Sequence, residues 1–97
     1  MAEFEVSGPA RRDLREIYDW IAQDDSAAAD QALSDLRDAI VRLADMPGLG
    51  HVREDLADES LRAWTVHRYV VIYQPDRAPM LVVRVLSGYR DIGSIFS

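Results

Sequence analysis

Apolar positions keep a helical period through the first half of the chain and change to a strand period after residue 60. Leu14, Ile17, Tyr18 and Ile21 recur at i, i+3, i+4 and i+7, one stripe of an amphipathic helix, which predicts a helix over 9–23. Ser7-Gly8-Pro9 supplies its start, since proline is tolerated in a first helical turn. Asp13, Glu16 and Asp19 fall outside the stripe. Gln23 to Ser26 is a polar break in which Asp25 or Ser26 can cap a second helix. Leu33, Leu36, Ile40 and Leu43 then step by 3, 4 and 3, predicting that helix over 27–46, kept slim by Ala28, Ala29, Ala32 and Ala39 and ended by Met46-Pro47-Gly48. Two such helices on a short link make an antiparallel hairpin. From Leu61 onward β-branched residues alternate or run together, predicting strands over 61–66, 69–73 and 80–86. The links, at His67-Arg68 and over 74–79, are short, so the strands form an antiparallel meander. Phe4-Glu5-Val6 reads as a further, very short edge strand. Between the helices and the strands lies a polar connection of about a dozen residues, long for a compact domain unless part of it has a use. Grouped helices followed by grouped strands give an α+β fold of order β-α-α-β-β-β. In it the hairpin packs on one face of a small antiparallel sheet, and residues 1–97 form a single domain.

Composition narrows the functional classes. The 97 residues contain no cysteine, which excludes disulfide scaffolds, zinc ribbons and thiol catalysis. The net charge of −6 argues against direct sequence-specific binding of nucleic acid. Its distribution is uneven: residues 1–48 carry eleven acids and five arginines, and residues 60–97 carry five arginines and two acids. The N-terminus is acidic and no apolar run approaches a membrane span, so a cytoplasmic location without a membrane partner is expected.

Candidate chemistry is sparse. The two histidines, His51 and His67, stand apart, and no His, Asp or Glu set has ligand spacing, so neither a metal nor another cofactor is expected. His67 reads as a solvated turn residue, and the pairs Asp24-Asp25 and Asp35/Asp38 as solvated helix surface. Arg62, Arg84 and Arg90 lie on or beside strands, where arginine either faces solvent or grips a carboxylate in bidentate fashion. Trp20 lies about 110° round its helix from the stripe centre, either a core-edge residue or an interface residue. Trp64 reads as core. Ile92, Ile95 and Phe96 suggest a C-terminal tail docked on the sheet or on a partner.

The ordered set of Ser7-x-Pro9-Ala10-x-x-Asp13-Leu14-x-x-Ile17-Tyr18-x-Trp20-Ile21-Ala22, Ala39-Ile40-x-x-Leu43-Ala44-x-Met46-Pro47-x-Leu49-Gly50, Leu61-Arg62, Tyr69-Val70-Val71-Ile72-Tyr73 and Val83-x-Val85-Leu86-x-Gly88-x-Arg90-Asp91 resembles the RelE/ParE superfamily of bacterial toxins, and its ParE-type members in particular. His51 departs from the pattern, which often has a basic residue after the glycine. The resemblance implies the toxin of a type II toxin–antitoxin system. A ParE-type toxin poisons DNA gyrase by binding and is neutralised by a ParD-type antitoxin. A RelE-type toxin is a ribosome-dependent mRNA ribonuclease, which needs cations for the phosphate and groups to move a proton. Of the positions where that pattern expects such groups, Arg90 fits, whereas Val70, Ile92 and Phe96 do not, and the arginine or lysine pair expected before the second strand finds Asp55-Leu56-Ala57-Asp58 and no lysine. The expected reading is therefore a toxin without catalytic residues; a RelE-type ribonuclease and a non-toxic interaction module of the same fold are the alternatives. The resemblance further implies that the antitoxin covers Trp20 and places an acidic segment on a basic sheet face of Arg62, Arg84 and Arg90. It also implies that the tail, with Tyr89, Arg90, Ile95 and Phe96, acts on the target.

Overall fold

The computed structural model describes residues 2–88 and 92–96. Strand β1 (Phe4–Val6) leads into helix α1 (Gly8–Ala22) and helix α2 (Ser26–Asp45), and a 3-10 turn follows at Pro47–Leu49. Strands β2 (Arg62–Val66), β3 (Tyr69–Gln74) and β4 (Met80–Ser87) and a short helix α3 (Ile92–Ile95) complete the chain. The helix starts follow from local chemistry. The Ser7 hydroxyl accepts the Ala10 amide at the head of α1, and the Asp25 carboxylate accepts the amides of Ala27 and Ala28 at the head of α2.

The sheet has four strands in the order β1-β4-β3-β2. β2, β3 and β4 form the expected antiparallel meander, whereas β1 pairs in parallel with β4, Phe4 opposite Met80 and Val6 opposite Val82. The sheet is thus mixed, because the hairpin carries the chain across one face and returns it to the far edge. β3 is an inner strand with Tyr69, Val70, Val71, Ile72 and Tyr73 all buried, which explains its unbroken apolar run.

The two faces of the sheet carry separate cores. On one, Leu36, Ile40, Leu43 and Ala10 of the hairpin meet Tyr69, Val71, Tyr73, Met80, Val82 and Val85. On the other, Val70, Ile72 and Leu86 are covered by Leu56, Leu61 and Ile92. The polar connection after α2 therefore has two anchors, Leu56 and Leu61, and the tail is docked on the sheet. The start of that connection is latched by Tyr73. Its buried hydroxyl donates to the Pro47 carbonyl at 2.6 Å and accepts the Gly50 amide at 2.8 Å. Burial also pushes the Tyr73 hydroxyl pKa up. A Cβ on Gly50 would collide with that hydroxyl and its ring, so residue 50 is glycine for want of space. Tyr73→Phe leaves both backbone groups without their partner and is expected to cost about 1–2 kcal/mol in urea unfolding. Faster hydrogen exchange at the Gly50 amide is the local signature of the same loss.

Candidate functional site

The sheet edge changes character along β4. β1 covers it only as far as Val82, after which the Ser7 amide and hydroxyl take the carbonyls of Val82 and Val83. Beyond these, α1 supplies the cover. Asp13, 6 % exposed, accepts the Val85 amide at 3.0 Å and grips Arg84 in bidentate fashion, Nε at 2.7 Å and Nη2 at 2.9 Å. A carboxylate thus stands in for the missing strand and fixes α1 against β4. The same contact raises the pKa of Arg84 above its ordinary value.

Past this clamp, α1 and the end of β4 diverge and leave a groove of about 450 Å³, lined by Glu16, Ile17, Trp20, Tyr69, Val85 and Leu86, with Asp13 at its head and Arg68 at its rim. Trp20 is 71 % exposed, the most open of the large apolar side chains among the described residues. A second hollow of about 380 Å³ lies on its other side, between the hairpin link at Asp24 and Asp25, Ala28 and Ala32 of α2, and His67 and Arg68 of the β2–β3 turn. Trp20 is therefore a ridge between two open hollows, with an apolar floor and charged rims. An aromatic ring so placed loses little conformational freedom when a partner covers it, which suits a binding hot spot.

His67 takes a left-handed backbone conformation, φ 55°, in the two-residue turn. Its Nε2 lies 2.7 Å from Asp35 Oδ2 of α2. His67 and, behind it, Gln31 hold the Asp35 carboxyl below the usual carboxylate range. The stabilisation from Asp35 is therefore present above the ordinary carboxylate pKa and is lost as pH falls through the lowered one. His67→Ala is expected to move the Asp35 pKa back up towards its ordinary value in an NMR titration. Trp64 packs against the hairpin-side core and stacks on His51, with ring centroids 5.9 Å apart.

The expected basic sheet face does not form from Arg62 and Arg84. β3 separates their strands, Arg84 is committed to Asp13, and Arg62 donates to the Gly50 carbonyl at 3.1 Å. Trp20 stands on α1 as an exposed ring, apart from Arg62 and Arg84. Ile95 and Phe96 pack against the second core beside buried Ile92. Tyr89 and Arg90 lie outside the described residues. Sequence reasoning passed over Asp13 as an anchor. A signal was present: Asp13, Glu16, Ile17 and Trp20 also fall at i, i+3, i+4 and i+7, a second stripe beside the apolar one, and this stripe faces β4.

A family model described as the ParE toxin of the type II toxin–antitoxin system, parDE, matches residues 4–92. The chain belongs to the ParE toxin family. A solved structure described as the chromosomal ParDE TA system from P. aeruginosa matches this ParE toxin with a TM-score of 0.73. The match covers 90 % of this chain and 96 % of that one at 18 % identity, and shows a common fold. No curated protein sequence matches significantly. Among the described residues of this ParE toxin, no helix is long and apolar enough to cross a membrane.

Proposed function

We propose that this ParE toxin acts by binding DNA gyrase and carries no catalytic residues, and that a ParD-type antitoxin neutralises it by covering the groove around Trp20. The observation that supports the non-catalytic reading most is the use of the second sheet face. Val70 and Ile92, where a ribonuclease of this superfamily would be expected to hold cations, are buried in an apolar core, and Phe96 packs against it. RNA cleavage would need cations and proton-transfer groups at these positions, and their apolar burial supports the reading without it. The exposed Trp20 and its two hollows support the antitoxin site, since a large aromatic ring between apolar floors is the usual anchor of a protein interface.

Brief induction of the toxin in cells tests the reading. Covalent gyrase–DNA adducts without new mRNA 5′ ends are expected. New mRNA ends without adducts would turn the assignment to the ribonuclease alternative, and unimpaired growth by a folded protein would favour the non-toxic module.

A further inference from the structure

The surface around Trp20 is acidic. Glu16 stands at the first hollow and Asp24 and Asp25 at the second, and none of the three has an ion-pair partner among the described residues. Arg84 is paired with Asp13 and feels the Glu16 charge only at longer range, and His67 is held by Asp35. Among the described residues that line the two hollows, Arg68 is the cation that remains, and it is shared by both. The hairpin that carries the ridge belongs to the acidic half of the sequence. A segment laid across Trp20 would desolvate Glu16 and Asp24 unless it brought cations to them, and an acidic segment would be repelled.

We infer that the antitoxin segment seated on this ridge is amphipathic and cationic. It places apolar side chains in the hollows on either side of Trp20, a lysine or arginine against Glu16, another against Asp24, and a carboxylate against Arg68. This rests on the reading of the Trp20 groove as the antitoxin site, and it reverses the sequence expectation, in which an acidic segment lies on sheet arginines. The reversal has a structural cause: Arg84 and Arg62 already have acceptors within the chain, while Glu16 and Asp24 have no ion-pair partner among the described residues.

The probe is the antitoxin encoded beside this toxin's gene, titrated against the toxin at low and high salt. A Trp64→Phe background leaves Trp20 as the only tryptophan, so its emission reports cover of the ridge directly. Trp20→Ala, read by calorimetry, is expected to weaken binding by about 30-fold or more. The double variant Glu16→Lys/Asp24→Lys, at exposed positions that leave the fold intact, is expected to weaken binding about tenfold and to abolish part of the salt dependence. Arg62→Glu, remote in contact from the ridge, is the comparison variant and is expected to change affinity less. Tighter or unchanged binding by the double lysine variant, with Trp20→Ala still impaired, would overturn the cationic segment and leave the groove as the site. Unimpaired binding by Trp20→Ala, with no change in Trp20 emission, would remove the site itself and the inference with it.

Discussion

Asp13→Ala is expected to lower the stability of the toxin by about 2–3 kcal/mol, which for a domain of this size lowers the melting temperature by roughly 10–20 °C. Three interactions end at one carboxylate: two from the Arg84 guanidinium and one from the Val85 amide. Removing it leaves a partly buried guanidinium without its counter-charge and a backbone donor on β4 without an acceptor. The cost stays below the top of the range for buried pairs because the Arg84 side chain keeps 24 % exposure and can rehydrate. Arg84→Met alone leaves the buried carboxylate with the Val85 amide as its remaining partner, and is expected to destabilise as well. The double variant should be more stable than the sum of the single effects, since both charges are then gone. Chemical unfolding of the four proteins measures this coupling. Strict additivity would show that Asp13 and Arg84 act independently and that the clamp is not what joins α1 to β4.

Ile92→Ala is expected to release the tail. Ile92 is 1 % exposed and touches the core built by Leu56, Leu61, Val70, Ile72 and Leu86, so truncation removes apolar contact worth about 2–4 kcal/mol. The described tail is short, and its neighbours Ile95 and Phe96 are only partly buried. The loss therefore appears first as local undocking and not as unfolding of the hairpin or the meander. Hydrogen exchange at the Phe96 amide, which donates to the Gly93 carbonyl, should accelerate strongly, while amides of α2 and β3 stay protected. Gly93→Ala tests the same contact from the other side. Its Cβ would lie 2.8 Å from the Asp55 backbone oxygen, so the tail and the 52–61 connection cannot keep their present approach. Unchanged protection at Phe96 in both variants would show that the tail is held by something other than this core.

The sequence made the helices and the meander readable because each depends on local periodicity and local caps. Leu14, Ile17 and Ile21 pack on the hairpin-side core, and Asp25 caps α2. β1 was harder: its three residues acquire strand character by pairing with Met80–Val82, far away in sequence, and no local pattern specifies a parallel partner. The tail's docking was legible in outline from the apolar Ile92, Ile95 and Phe96, but its partners Leu56 and Leu61 sit within a stretch that reads as polar. The arginines misled for a related reason. Charge counts report what a segment carries, not what is already neutralised, and Arg84 meets Asp13 across 71 residues of sequence. The ridge at Trp20 was legible as a helix position off the main stripe; its acidic rims needed the fold, because Glu16, Asp24 and Asp25 become one surface only when the hairpin closes beside the β2–β3 turn.

Gyrase supercoiling of relaxed plasmid, with the purified toxin added and antitoxin added afterwards, tests the central claim most directly. The account predicts loss of supercoiling with cleaved DNA trapped on gyrase, reversed when antitoxin covers the toxin. Undisturbed supercoiling in the presence of folded toxin that still binds its antitoxin would contradict it.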